Sequence, residues 1–98
     1  MSFSLGMDPG RLSDRARDFS QESEALKASV DKMAGWIGTL EEDWKGDAAR
    51  KYVQQFGELR PHFQNMYELI GDLSKQLQGA ADAMVELDRE MASRIGVQ

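Results

Sequence analysis

The sequence predicts an all-α fold, an antiparallel helix-turn-helix hairpin that dimerises into an elongated four-helix bundle. Two series of apolar residues repeat at alternating steps of three and four, which is the spacing of one helix face. A short polar segment that contains a glycine separates the two series. The 98 residues are assigned to one hairpin, with helix 1 at about 9–41, a WxG turn at about 42–47, helix 2 at about 48–93 and flexible ends.

Helix 1 is predicted to start at Asp8 and Pro9. An Asp side chain accepts hydrogen bonds from free first-turn amides, and proline at the first helical position loses no useful donor. The apolar series of this helix has a single polar member, Ser23. Its positions are Leu12, Ala16, Phe19, Ser23, Leu26, Val30, Met33, Ile37 and Leu40.

Helix 2 is predicted from a longer series that has no charged member. Its positions are Ala49, Tyr52, Phe56, Leu59, Phe63, Met66, Ile70, Leu73, Leu77, Ala80, Met84, Leu87 and Met91. Pro61 lies on the opposite, polar face, where it costs one helical hydrogen bond, so we expect a mild bend and not a break.

Dimerisation is predicted because one neighbouring helix covers only one flank of an apolar stripe. Ordering a residue's backbone costs about 1–2 kcal/mol, whereas burying a large apolar side chain returns roughly 1.5–3 kcal/mol. Helix 2 also carries apolar residues beside its series, namely Val53, Tyr67, Leu69, Ala81 and Ala83. A homodimer would cover both flanks. A bundle completed by a related helical partner and a monomeric hairpin remain alternatives.

The predicted core and dimer seam consists of large apolar residues from both series. Its members are Phe19, Leu26, Val30, Met33, Ile37, Tyr52, Phe56, Leu59, Phe63, Met66, Ile70, Leu73 and Leu77. Because these side chains are stabilised when they are removed from water, we expect a second copy of the chain to cover them.

Charge and composition argue against several classes of function. Seventeen acidic and 12 basic residues give a net charge of -5, which disfavours nucleic acid and anionic membranes as partners. The sequence has no cysteine, so disulfides and thiolate metal sites are excluded. Residues 1–10 lack the basic and apolar regions of a secretory signal peptide, and no apolar run is long enough to suggest stable membrane insertion.

No catalytic or metal site is predicted, and no cofactor. His62 is the only histidine and is expected to be solvated or at the edge of the bundle. A di-iron bundle needs Glu-x-x-His motifs, with a spacing of three, on two helices. The nearest match here is the single pair Glu58 and His62, which are four residues apart. The acidic run at 41–43 lacks the alternating oxygen ligands and the glycine of a calcium loop. The sequence therefore predicts a non-enzymatic protein.

The turn carries a specific motif. Trp44, Gly46, Ala48 and Tyr52 stand at the spacing W-x-G-x-A-x-x-x-[FY], which resembles the signature of the WXG-motif family of small type VII secreted proteins. The run Trp36-Ile37-Gly38 matches only the bare W-x-G, without the alanine and the aromatic residue. The resemblance extends over nearly the whole chain and is closest to the branch from low-GC Gram-positive bacteria.

The resemblance implies a small, dimeric, non-enzymatic protein exported by a Gram-positive type VII secretion system in a virulence-associated family. It implies secretion without a cleavable signal peptide, assembly in the cytoplasm before export, and homodimers as the usual state of that branch. The alternative that it leaves open is a helical targeting partner or chaperone for a larger secreted effector.

The resemblance also implies an export signal of the form Tyr-x-x-x-Asp/Glu, read by the secretion ATPase at the C-terminal end. The aligned stretch runs from Met84 to Asp88, so methionine replaces the tyrosine. Residues four apart share a helix face, so Met84 and Asp88 form a degenerate candidate signal. A methionine at helical spacing is also an ordinary core residue. The tail after Met91 is an alternative place for the signal.

Overall fold

The structure, a computed structural model, describes residues 8–44 and 46–96, and these form two α-helices joined by a turn. Helix α1 is Pro9–Asp43 and helix α2 is Asp47–Gly96. Each helix ends two or three residues beyond the end expected from the sequence. Residues 1–7 and 97–98, which make up most of the expected flexible ends, lie outside the described residues. The fold is the predicted all-α helical hairpin.

Asp8 caps the start of α1. Its carboxylate accepts a hydrogen bond from the Gly10 amide at 2.8 Å, and its carbonyl accepts from the Leu12 amide at 3.0 Å. Pro9 follows as the first helical residue, where its missing N–H leaves no partner unsatisfied. The sequence signal for this helix start is confirmed.

The chain divides into two compact units, which we describe separately. The turn half comprises residues 22–70, and the terminal half comprises residues 8–21 and 71–96. In each half a segment of α1 packs against a segment of α2. Residues further along α1 contact residues further back along α2, as the pairs Ser13–Gln78 and Ala16–Ser74 show in one half and Ser23–Tyr67 and Asp31–Arg60 show in the other. The two helices are therefore antiparallel within each half.

In the turn half, a buried hydroxyl joins the two helices. Ser23 Oγ donates to the Tyr67 carbonyl at 2.6 Å. Val30 and Ala49 are the buried apolar residues of this half. Asp31 and Arg60 approach to 4.0 Å across the helices, but both are more than half exposed, so this ion pair adds little stability.

In the terminal half, the same arrangement recurs with the roles of the helices exchanged. Ser74 Oγ of α2 donates to the Ala16 carbonyl of α1 at 2.5 Å. Ser13 Oγ donates to Gln78 Oε1 at 2.9 Å. The buried apolar residues are Leu12, Ala16 and Ala81. Buried polar atoms placed in this way hold one register between helices whose apolar repeats would tolerate slippage.

Proline is tolerated inside α2. Pro61 is exposed, and α2 continues through it without interruption. The residue four positions earlier is Gly57, which has open space around its Cα. The expectation that Pro61 does not break the helix is confirmed.

The hydroxyl of Ser74 is expected to stabilise the hairpin measurably. Ser74→Ala removes a buried donor to the Ala16 carbonyl, while Ser20→Ala removes an exposed hydroxyl from α1. Both changes gain helix propensity, so their difference isolates the hydrogen bond. We expect Ser74→Ala to have a free energy of unfolding about 1 kcal/mol lower than Ser20→Ala in denaturant titrations. Equal stabilities of the two variants would contradict a role for this bond.

Candidate protein-interaction surface

The turn depends on the backbone of Gly46. Gly46 has φ of 133°, the one positive φ among the described residues, and non-glycine side chains rarely adopt that conformation. Its carbonyl accepts from the Arg50 amide at 3.3 Å and so begins α2. At the other side of the turn, the Trp44 amide donates to the Leu40 carbonyl at 2.8 Å. The glycine of the motif therefore reverses the chain.

Asp47 acts at the start of α2 through its side chain. Its carboxylate accepts from the Arg50 guanidinium, one turn further along α2. As the acidic residue of the first turn, Asp47 also interacts favourably with the positive end of the helix dipole. The carboxylate is thus engaged by a side chain, whereas Gly46 supplies the main-chain contact.

Trp44 lies over the start of α2. Its ring and that of Tyr52 have centroids 5.8 Å apart and planes tilted by 33°. Trp44 and Tyr52 are still 45% and 51% exposed. An open depression beside Trp44 is lined by Glu41, Gly46, Ala49 and Arg50. The motif therefore presents aromatic surface at the turn and is not enclosed by its own chain.

The structure separates the predicted seam into a covered group and an exposed group. Val30 is buried, and the half-buried members are Leu26, Met33, Ile37, Phe56, Phe63, Ile70 and Leu77. The exposed members are Phe19, Tyr52, Leu59, Met66 and Leu73, with 39% to 51% of each side chain accessible. The exposed group is what a partner would cover.

Four residues of α2 outside the predicted seam are covered within the hairpin. Ala81 and Ser74 are buried, and Val53 and Tyr67 are half-buried. They occupy one heptad position of α2, since Tyr67, Ser74 and Ala81 are seven residues apart and Val53 lies two heptads before Tyr67. The sequence pattern places three of the four, Val53, Tyr67 and Ala81, beside the helix 2 series, whereas Ser74 gives no apolar signal.

Each half also exposes large apolar side chains outside the predicted seam. In the turn half these are Trp36, which is 62% exposed, Leu69, which is 57% exposed, and Trp44 at the turn. In the terminal half they are Val85, Leu87 and Met91, at 42% to 45%. Large apolar side chains that are exposed in such numbers are typical of proteins with interaction surfaces.

The candidate export signal lies in the terminal half with its two key side chains partly covered. Met84 and Asp88 are half-buried, whereas the residues between them, Val85, Glu86 and Leu87, are exposed. Glu86 accepts from Arg89 at 3.5 Å. The surface available for recognition on this stretch is therefore acidic and apolar, but Met84 contributes only part of its side chain.

The charged groups of the described residues do not form a chemical centre. Within residues 8–44 and 46–96, no group of three or more His, Cys, Asp or Glu residues could hold a metal ion. Four of the ion pairs join residues three apart on one helix and are exposed. His62 is exposed. Neither α1 nor α2, over the part of the chain that the structure describes, is long and apolar enough to cross a membrane.

Two helices, a W-x-G turn and exposed apolar surface define a small helical hairpin protein of the protein-interaction class. The chain belongs to the WXG100 family, proteins of 100 residues with WXG, whose family model matches residues 4–89. It is 24% identical over 94 residues to the type VII secretion system extracellular protein A of Staphylococcus aureus strains USA300 and Newman, covering 96% of this chain and 97% of the relative.

A solved structure shows the same fold. The chain superposes on the crystal structure of Geobacillus thermodenitrificans EsxA, crystal form I, with a TM-score of 0.85 and 29% sequence identity. The match covers 91% of this chain and 98% of the other.

A glycine-to-alanine substitution is expected to have opposite effects on stability in the two W-x-G runs. Gly46→Ala forces a positive φ on an alanine, with a strain of about 1–3 kcal/mol. Gly38 lies inside α1 with open space around it, so Gly38→Ala is expected to stabilise the helix by up to about 1 kcal/mol. Thermal unfolding followed by circular dichroism measures both. If Gly46→Ala were as stable as Gly38→Ala, the turn would not depend on this glycine.

Proposed function

We propose that this chain is a non-enzymatic protein that a Gram-positive type VII secretion system exports as a folded homodimer. The observation that carries the proposal is the WXG100 match over residues 4–89, with Trp44 and Gly46 in the turn between the helices. The staphylococcal relative, named as an extracellular protein of that system, is covered over 97% of its length, which supports the same role here.

Exposed apolar side chains support the homodimer. Four large apolar side chains of α2, Tyr52, Leu59, Met66 and Leu69, are 46% to 57% exposed. A second copy that covered them would remove this apolar surface from water, which is favourable.

The C-terminal part of α2 is the proposed contact for the secretion ATPase. Asp88, Glu86 and Leu87 combine carboxylates with apolar surface within one helical turn. Met84 replaces the tyrosine that the family's signal has, and it remains half-buried. We propose that the carboxylate of Asp88 carries this interaction. Assembly of the dimer in the cytoplasm precedes this contact.

A second candidate function is a targeting partner for a larger secreted effector. It is favoured by the change at Met84, which weakens the chain's own signal, and by Trp36, the most exposed large apolar side chain described. Purification of the tagged chain from native cells separates the two candidates. A second helical protein in stoichiometric amount supports the targeting role, and the homodimer alone supports the first proposal.

Export is expected to depend on the secretion ATPase and on Asp88. Deleting the ATPase gene should remove the chain from the culture medium while it accumulates in cells. Asp88→Ala should lower the secreted fraction, whereas Asp82→Ala, which removes an exposed carboxylate from the same helix, should leave it unchanged. Immunoblots of medium and cell fractions measure this. Unchanged secretion without the ATPase would reject the proposal.

The dimer is expected to depend on Leu59. Leu59→Lys places a charge on exposed apolar surface that a partner would cover, while Gln54→Lys places the same charge on the polar face of α2. By light scattering at micromolar concentration, the wild-type chain and Gln54→Lys should have twice the 11.0 kDa chain mass. Leu59→Lys should shift toward the chain mass because a buried unpaired lysine is costly. A wild-type mass of one chain would contradict the homodimer.

A further inference from the structure

We propose that residues 1–7 of this chain pack along the C-terminal part of α2 and cover the surface that carries the candidate export signal. This inference rests on the proposed function, because it concerns access to the same signal. It involves only the terminal half, in which α1 begins and α2 ends. We call the covered surface the end stripe of α2, and its members are Met84, Asp88 and Met91.

The end stripe continues the side of α2 that faces α1. Just before it along α2, Ser74 is bonded to the Ala16 carbonyl, Leu77 is half-buried and Ala81 is buried. These three residues of α2 and the end stripe follow one another at alternating steps of three and four, so they share one helix face. A segment that extends α1 at its N-terminal end therefore meets the end stripe.

Helix α1 begins too late in the sequence to cover the end stripe itself. The contacts Ser13–Gln78 and Ala16–Ser74 set the register of the two helices in this half. At that register Pro9, the first residue of α1, lies opposite about residue 82 of α2. Because α2 continues to Gly96, roughly 20 Å of helix has no segment of α1 beside it in this half. The described side chains at 89–94 are all exposed, as this register requires.

Residues 1–7 have the length and the pattern to occupy this surface. They lie outside the described residues and directly precede Asp8, which caps the start of α1. Seven extended residues reach about 23 Å, close to the length of the uncovered helix. Phe3, Leu5 and Met7 alternate with serine and glycine, so an extended segment has one apolar face. The segment has no charged side chain, so covering it desolvates no ionic side chain.

The end stripe offers suitable partners to such a segment. Met84 and Met91 have flexible thioether side chains, which adapt to aromatic and aliphatic neighbours such as Phe3 and Leu5. An extended backbone has free N–H groups, and the carboxylate of Asp88, between the two methionines, accepts hydrogen bonds from them. Apolar contact and backbone hydrogen bonds therefore favour the same placement.

Docking of residues 1–7 competes with recognition of the export signal. Met84 and Asp88 are half-buried on the side of α2 that faces α1, whereas Val85 and Glu86 are exposed elsewhere on the helix. A partner that contacts both Met84 and Asp88 must approach from the side that residues 1–7 occupy. The segment therefore lowers the affinity of the chain for the secretion ATPase until it is displaced.

Intrachain disulfide formation tests the docking directly, because the sequence has no cysteine. Leu5 is four residues before Pro9, about 13 Å when extended, which corresponds to roughly nine residues of helix and brings it near Met91. The variant Leu5→Cys, Met91→Cys should therefore form several-fold more intrachain disulfide than Leu5→Cys, Arg89→Cys, whose second cysteine lies on the opposite side of α2. Non-reducing electrophoresis and peptide mass spectrometry measure both. Equal amounts in the two variants, or a disulfide between chains in place of the intrachain one, overturns the docking.

Binding to the purified cytosolic domains of the secretion ATPase tests the competition. The double variant Phe3→Ser, Leu5→Ser loses the apolar face of the segment, so it should bind several-fold tighter than the wild-type chain. The control Ala25→Ser, Ala28→Ser adds two serines at exposed positions of α1 and should bind as the wild-type chain does. Unchanged or weaker binding of the Phe3→Ser, Leu5→Ser variant overturns the competition.

The docking and the proposed export fail separately. Secretion that persists without the ATPase defeats the export proposal, whatever the disulfides show. A preference for the Leu5–Met91 disulfide that is absent from the full-length chain defeats the docking, even when secretion depends on the ATPase.

Discussion

The constraint on which this structure depends is the width of the uncharged surface on α2. Few apolar residues of the described chain are buried: they are Leu12, Ala16, Val30, Ala49 and Ala81. Among the side chains of residues 8–44 and 46–94, no large one is completely buried. A hairpin with so little enclosed apolar volume gains little from folding alone. In the proposed homodimer, covering the rest of α2 links stability to assembly, and assembly to the proposed export.

Much of the fold could be predicted from the sequence, because its signals were local and agreed with one another. Asp8 and Pro9 marked the start of α1, and heptad spacing marked both helices. Gly46 could be distinguished from Gly38 because only the former stands between two apolar series. The positive φ of Gly46 gives the physical reason for that distinction.

The side of α2 that faces α1 could not be predicted. Apolar residues flank the centre of the stripe on both sides, so periodicity locates the stripe but does not say which flank the first helix covers. Ser74 made the choice harder, since a serine normally indicates a solvated position. In the structure its hydroxyl is buried and bonded to the Ala16 carbonyl. Ser23 has the same role in the other half.

The functional residues were less predictable than the fold. A methionine at position 84 satisfies the spacing of a core residue and that of the export motif equally well, and its partial burial fits both uses. Trp44 could be found because the motif places it beside a turn glycine. Trp36 could not be assigned a use from spacing, since it lies outside the apolar series of α1.

The central claim, that folding of this chain is completed by a second copy, is tested most directly by the concentration dependence of thermal unfolding. When a dimer dissociates as it unfolds, its midpoint rises with protein concentration by mass action. Circular dichroism over a roughly hundredfold concentration range should therefore show a steadily rising midpoint. A cooperative helical transition whose midpoint stays constant over that range would contradict the account.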